Sequence, residues 1–144
     1  MAEIFIRELW IYPVKSLGGV RVDAAAITSV GSLLSDREWI VVDDSQRMVW
    51  QGDMPKMTLV RVALDDTSLT LSLPGLADLT LRRDHGGAPA SLTMYKNEIN
   101  GIDAGDAAAA WLTEALGRPL RLVRIGDAAH RWSCLLYTSD AADE

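Results

Sequence analysis

Residues 10–16 read WIYPVKS, and residues 35–39 read SDREW. The first segment is typical of a strand that ends at a proline, a lysine and a hydroxyl, and the second begins another strand with an Asp–Arg pair. Each segment places a cation, Lys15 or Arg37, at a strand end. Two cations at neighbouring strand ends can form an anion site. The residues alone favour a simpler alternative, the solvated ends of two ordinary surface strands, because most lysines and arginines are exposed.

The sequence around these two segments predicts a mainly β protein. Pro13 ends the first strand and keeps Tyr12 extended, because an α conformation before a proline is sterically unfavourable. Short stretches of strand-like composition recur with turn signals between them, at 4–12, 20–28, 37–43, 48–51, 57–64, 68–73, 79–81, 91–95, 98–101 and 120–125. So many short strands at close spacing predict an antiparallel β-barrel, closed or half closed.

One helix is predicted near the end of this series, at about 105–117, followed by a closing strand. Its apolar residues recur at helical spacing, Asp106 is a candidate N-cap, and Gly117 followed by Pro119 is a strong stop signal. Three tryptophans, Trp10, Trp39 and Trp111, are predicted to pack in the core, because they fall on alternating strand positions and on the apolar helix face.

Composition narrows the class of protein. The chain has 144 residues, 49% of them apolar and 24% charged, which predicts one globular domain with a real core. A net charge of −6 argues against binding to nucleic acid or to an anionic membrane, since both require a broad positive surface. A single cysteine, Cys134, cannot form an internal disulfide and suits a reducing cytoplasm. The start, Met1-Ala2-Glu3, lacks the basic and apolar regions of a signal peptide, and no apolar stretch is long enough to span a bilayer, so neither a leader nor a membrane span is expected.

Other catalytic or metal-binding patterns are weak. His85 and His130 have no Cys, Asp or Glu at metal-ligand spacing, so no metal site is predicted. Helix capping and turn formation explain Asp106 and Asp103 more simply than a catalytic carboxylate pair does. We expect no role for Cys134, because it has no basic partner or helix start nearby.

The order and spacing of several motifs resemble one known family. The motifs are Leu9 to Ser16, the Asp-Arg-x-Trp run 36–39, Asp-Ala-Gly-Asp at 103–106 leading to Trp111-Leu112, and Arg-Leu-Val-Arg at 121–124. Together they resemble the N-terminal β-barrel domain of MOSC proteins, as in the mitochondrial amidoxime-reducing component and bacterial MOSC-domain molybdenum proteins. The resemblance covers about residues 4–131.

This resemblance implies a cofactor. In the family, the lysine and serine of the Pro-Val-Lys-Ser segment and the arginine of Asp-Arg-x-Trp hold the phosphate and pterin of a molybdenum cofactor, molybdopterin. Carried over, the cofactor-binding residues are Lys15, Ser16 and Arg37, with no catalytic residue in this domain. The metal-ligating cysteine belongs to the MOSC domain that follows. The complete protein would be an oxidoreductase for N-hydroxylated compounds, with an iron–sulfur or other protein as electron donor.

Two departures from the family pattern qualify these expectations. Gly52 stands where many relatives have an arginine, so a cofactor contact from that loop is in doubt. Residues 1–131 are expected to form the domain, while residues 132–144 read as an unstructured or non-native tail and the MOSC catalytic domain is missing. The chain is therefore expected to be a fragment, inactive alone. A non-catalytic cofactor or sulfur-carrier accessory module remains the alternative, and a fragment that folds poorly is a third.

Overall fold

A computed structural model describes residues 2–125 and confirms a mainly β protein with one α-helix. A 3-10 helix, Pro55–Leu59, lies between the third and fourth strands. In chain order, the other elements are β1 (Leu9–Ile11), β2 (Val20–Val22), β3 (Trp39–Asp43), β4 (Arg61–Leu64), β5 (Ser68–Ser72), β6 (Leu79–Arg82), β7 (Pro89–Met94), β8 (Asn97–Asp103), α1 (Asp106–Leu116) and β9 (Leu120–Arg124).

The strands form three antiparallel sheets. One pairs β1 with β2, the second has the order β3-β9-β8-β7, and the third has the order β4-β5-β6. Isolated bridges add contacts outside the strands, between Val14 and Trp39 and between Arg47 and Thr93. Across residues 2–125 the ladders do not join into one closed barrel. The same part of the chain has no helix that is long and apolar enough to cross a membrane.

Strand β3 is buried on both faces and separates two apolar clusters. Trp39 and Val41 face the larger cluster, which includes Leu112 of α1. Ile40 and Val42 face a smaller cluster built on β7, β8 and β9. A strand covered on both sides needs a continuous apolar run rather than an alternating one, and WIVV supplies it. This strand therefore fixes the position of the residues just before it, including Arg37.

The helix ends as predicted but begins differently. Gly117 adopts a left-handed conformation, φ 80°, and its N–H donates to the Thr113 carbonyl. The N-cap is Gly105, not Asp106. Asp103 instead accepts the Gly105 N–H at 2.7 Å. Asp103 thus forms the turn that leads into the helix, in agreement with the turn-forming role predicted for it.

The first two strands are shorter than predicted. Strand β1 begins at Leu9 rather than at residue 4, and β2 ends at Val22 rather than at residue 28. The start of β1 and the end of β2 are set together, because Leu9 and Val22 face each other as the last pair of the ladder. The apolar residues Ile4 to Ile6 have strand-like composition but no paired neighbour, and they are exposed. Composition predicts the capacity for a strand, whereas the partner decides its length.

Two further predictions need correction. Trp39 is fully buried as predicted, and Trp111 packs against the core while its indole N–H donates to the Ala77 carbonyl. The prediction for Trp10 is wrong, because its side chain faces outward and is 46% exposed. The predicted strand over 57–64 begins only at Arg61. Pro55 starts the preceding 3-10 turn, since proline suits the first turn of a helix.

We expect Leu112→Ala to lower the free energy of unfolding by about 2 to 5 kcal/mol, because it leaves a cavity in the larger cluster. Leu112 has no exposed surface. Leu59→Ala is the matched control, since Leu59 is 61% exposed and its truncation should cost less than about 0.5 kcal/mol. Urea unfolding followed by circular dichroism measures both. Equal losses would contradict this account of the core.

Acid unfolding should depend on Asp103. Its two oxygens accept from Nε and Nη2 of Arg121 at 2.6 and 2.8 Å, and this pairing holds the pKa of the carboxyl below its usual range. A folded-state pKa below the unfolded value means that the stabilisation is present above the unfolded value, 3.8, and is lost as the pH falls through the folded value. Asp103→Asn should therefore lower stability at neutral pH and flatten the loss of stability below about pH 4.

The control for this experiment is Asp106→Asn. The Asp106 side chain is 97% exposed and, within residues 2–125, accepts a bond from Nη2 of the same arginine. We expect a much smaller effect, because solvent screens an exposed pair. Urea unfolding between pH 2.5 and pH 7 compares the two variants with the parent chain. An unchanged pH profile for Asp103→Asn would be inconsistent with the assigned pairing.

Candidate functional site

The structure brings the two cation-bearing segments together through backbone hydrogen bonds. The Arg37 N–H donates to the Tyr12 carbonyl at 2.7 Å, and the Trp39 N–H donates to the Pro13 carbonyl at 3.0 Å. The Lys15 N–H returns a bond to the Trp39 carbonyl at 3.0 Å. Val14 and Trp39 form a parallel bridge at this point. Lys15 and Ser16 therefore lie on a backbone segment next to that of Arg37, although Arg37 is more than twenty residues away in sequence.

Arg37 is held by two contacts but keeps a solvent-accessible surface. Its Nη1 bonds Asp36, and its guanidinium lies 5.1 Å from the centre of the Tyr12 ring. Asp36 also accepts the Tyr12 N–H at 2.7 Å and is nearly buried. The Arg37 side chain remains 43% exposed. The arginine is therefore directed by its neighbours while part of the guanidinium faces solvent.

Lys15 and Ser16 lie in a tight turn. The Leu17 N–H donates to the Val14 carbonyl at 3.2 Å, and Ser16 has a left-handed φ of 72°. The next residue, Gly18, donates its N–H to the Val60 carbonyl at 2.9 Å, and a Cβ at that position would lie 2.8 Å from the same oxygen. Lys15 Nζ is 6.0 Å from the centre of the Tyr95 ring. The turn is thus fixed on one side by β3 and on the other by the chain before β4.

Left-handed backbone conformations are concentrated here. Ser16, Ser35 and Arg37 have φ values of 72°, 66° and 52° although none is glycine. Each such residue costs on the order of 1 to 2 kcal/mol. Backbone strain of this kind persists only where surrounding contacts hold it, and it is common at binding sites. Its concentration around the two cations is independent support for a site.

The donor set suits the phosphate of a pterin cofactor. An ammonium, a hydroxyl and a partly exposed guanidinium are all groups that donate to phosphate oxygens. A cluster of metal ligands is absent from the part of the chain that the structure describes. Residues 2–125 contain no group of three His, Cys, Asp or Glu side chains that could hold an ion. Cys134 and His130, with the tail from residue 132, lie outside the described residues. The cofactor-binding role of Lys15, Ser16 and Arg37 stays a prediction.

The loop around Trp50 explains the glycine that departs from the family pattern. A Cβ at Gly52 would lie 2.4 Å from the Trp50 ring, so the ring covers the place that a side chain would occupy. Trp50 itself is 44% exposed. A larger residue at position 52 would displace this ring, and glycine offers no side chain for a ligand.

The contacts of several residues near the site were not predicted from the sequence. Glu38 is buried, and Arg124 Nη2 donates to its Oε1 at 3.2 Å. The indole N–H of Trp39 donates to His85 Nε2 at 3.1 Å. The available signal was the charge of Glu38 directly before a continuous apolar run, since a carboxylate there needs buried cationic partners. Nothing in the sequence identified those partners, because they lie on distant strands.

Comparisons with known proteins agree with this arrangement of motifs. The family model of the MOSC N-terminal beta barrel domain matches residues 3–119. Mitochondrial amidoxime reducing component 2 of Bos taurus is 37% identical over 77% of this chain and 34% of its own length. Mitochondrial amidoxime-reducing component 1 of Homo sapiens is 37% identical over 82% of this chain and 37% of its own length. The chain thus spans about a third of the length of these relatives.

Two other matches extend the comparison. Molybdenum cofactor sulfurase 2 of Aedes aegypti is 33% identical over 84% of this chain and 16% of its own length. The solution structure of a Bordetella bronchiseptica protein has a TM-score of 0.56 and 22% identity, covering 72% of this chain and 89% of its own. The last likeness concerns the fold alone.

Replacing Ser16 with glycine should separate stability from binding. Glycine relieves the left-handed strain, so we expect Ser16→Gly to leave the free energy of unfolding unchanged or to raise it by up to about 1 kcal/mol. The loss of the hydroxyl should at the same time weaken binding of inorganic pyrophosphate severalfold. Thermal unfolding and a titration followed by NMR measure the two effects. Ser16→Ala is the control, because it removes the hydroxyl and keeps the strain. If both variants bind pyrophosphate as the parent does, the hydroxyl has no part in the site.

Proposed function

The chain belongs to the MOSC N-terminal beta barrel domain family, and on that premise we propose that it is the cofactor-cradling part of a molybdenum-cofactor oxidoreductase. Its relatives are molybdenum-cofactor-associated proteins by name. The complete protein would reduce N-hydroxylated compounds, by analogy with the amidoxime-reducing components. This domain alone would bind and orient the cofactor and would not catalyse the reaction.

The observation that carries the proposal is the pairing of residues 12–15 with residues 37–39. It supports a shared anion site because it holds two cationic side chains at adjacent backbone positions. Lys15 supplies a compact charge, Ser16 a hydroxyl and Arg37 a planar fork, a combination that recognises a phosphate monoester. The cofactor, when bound, would supply the redox-active metal, and the electrons would come from the electron-donor protein.

The domain's own residues have a positioning task in this proposal. Binding energy at the phosphate end restricts where the pterin and the metal can lie, so this end of the site sets the orientation of the reacting end. Arg37 would bind with little loss of side-chain freedom, because Asp36 and Tyr12 already direct it. The metal-ligating cysteine and an iron–sulfur or other electron donor would come from outside residues 2–125. A single cysteine in 144 residues supports a cytoplasmic location.

A second function rests on a different relative. The similarity to a molybdenum cofactor sulfurase supports an accessory module that holds the cofactor, or carries sulfur, without reducing a substrate. The two functions share the phosphate site and differ in turnover. A protein that consumes a hydroxylamine-type substrate in the presence of a reduced electron donor is the oxidoreductase, whereas one that holds cofactor without this consumption is the accessory module.

The site assignment is tested in a protein that joins this domain to the region by which the relatives are longer. We expect Lys15→Ala and Arg37→Ala each to weaken cofactor retention about tenfold or more, since each removes a charge-assisted hydrogen bond. Bound molybdenum is measured by mass spectrometry and bound pterin by fluorescence after oxidation. The control is Arg82→Ala, which removes a cation whose side chain is 79% exposed and pairs with Asp84 rather than with the site residues. Full cofactor occupancy in both site variants would show that the assignment is wrong.

A further inference from the structure

We propose that Arg83 is a positioning residue for Arg37, which it serves by locking the backbone turn at residues 35–37. The inference rests on the proposed anion-binding role of Arg37 and extends it to a residue outside the motif. Arg83 directly follows β6 and is separated from Arg37 by 46 positions in the sequence. Its guanidinium contacts the residues on both sides of the Asp36–Arg37 pair.

The turn that presents Arg37 needs external support. Ser35 and Arg37 are both left-handed, with Asp36 between them. Two strained residues in a span of three would relax towards ordinary backbone conformations if nothing held them. Such a change would alter the direction of the Arg37 side chain. The strength of the anion site therefore depends on what holds this turn.

Arg83 forms a hydrogen bond with the first residue of the turn. Its Nη2 donates to the Ser35 hydroxyl oxygen, and Ser35 is nearly buried, with 5% of its surface exposed. Nη1 of Arg83 donates to the Asp65 carbonyl at 3.0 Å, and the Arg83 N–H donates to the Thr67 carbonyl at 2.9 Å. The guanidinium thus links the turn to the loop between β4 and β5. The Asp65 and Thr67 backbone carbonyls anchor Arg83, so its guanidinium can hold Ser35 in place.

Arg83 also steadies the residue on the other side. Nη2 lies 3.9 Å from Oε2 of Glu38, a carboxylate that is only 4% exposed. Arg124 binds Oε1 of Glu38, whereas Oε2 has no hydrogen-bond partner among the described residues. Arg83 is therefore the cation that faces this second oxygen. Removing it would leave Arg124 as the cation bonded to this buried carboxylate and Oε2 without a cation of its own, which is costly and would loosen the chain at Glu38.

These contacts distinguish positioning from direct binding. The two terminal nitrogens of Arg83 already donate to Ser35 and Asp65, and the side chain is only 25% exposed. A ligand could reach the remaining N–H groups only through the quarter of the side chain that is exposed. Arg83 should therefore affect an anion only through Arg37, which makes the two residues thermodynamically coupled.

The experiment is a titration of the full 144-residue chain with inorganic pyrophosphate, followed by NMR. We expect Arg83→Met to weaken binding about tenfold, and Arg82→Met, its neighbour on the chain, to change it less than about twofold. Arg82 is the matched control, because its side chain is 79% exposed and its partner in the described part of the chain is Asp84. The control removes the same charge without touching the turn. Ser35→Ala, which deletes only the hydroxyl acceptor, should weaken binding in the same direction by a smaller factor.

The decisive measurement is the double variant. In an Arg37→Ala background, Arg83→Met should cause no further loss, because its effect passes through Arg37. An additive loss would overturn the inference, since it would mean that Arg83 binds the anion itself. Equal affinities for Arg83→Met, Ser35→Ala and Arg82→Met would also overturn it. A parent chain that does not bind pyrophosphate would instead refute the proposed anion site, and the inference with it.

Discussion

The pairing of residues 12–15 with residues 37–39 is the constraint on which the rest of the site depends. Pro13 has no N–H, so it participates through its carbonyl alone, and the bonds on either side of it come from the Arg37, Trp39 and Lys15 amides. Trp39 begins the strand that is buried on both faces, so the position of this pairing is set by the core. The core thus determines where Lys15 and Arg37 lie, and the two cations need no direct contact with each other.

Local charge at the site opposes the charge of the whole chain. The chain has a net charge of −6, yet three arginines, Arg37, Arg83 and Arg124, pair with two carboxylates, Asp36 and Glu38, and Lys15 lies on the neighbouring backbone segment. The carboxylates are nearly buried and the cations are partly exposed. An anion approaching from solvent therefore meets Lys15 and the exposed part of Arg37 first. Such an arrangement gives a small selective pocket without the broad positive surface that nucleic acids require.

Sequence patterns predicted the class of fold and the location of the helix because those depend on local preferences. The stop at Gly117 needs only a residue that tolerates a left-handed backbone. The length of β1 and the exposure of Trp10 could not be predicted, since they depend on where the ladder with β2 ends. The neighbouring positions of Lys15 and Arg37 were suggested by motif order, whereas the roles of Glu38 and its arginine partners required the tertiary structure. Contacts between distant strands leave no local pattern in a single sequence.

Asp36 has a consequence that concerns hydrogen-bond chemistry rather than charge. One of its oxygens accepts the Tyr12 N–H, and the other accepts from the Arg37 guanidinium, so both ends of a single short side chain must be acceptors. Asparagine has almost the same shape but carries one acceptor and one donor group. Whichever way its amide turned, an NH₂ would face another N–H. The junction between the two segments therefore discriminates between two nearly isosteric side chains, and it is a carboxylate that is needed there, not merely a small polar group.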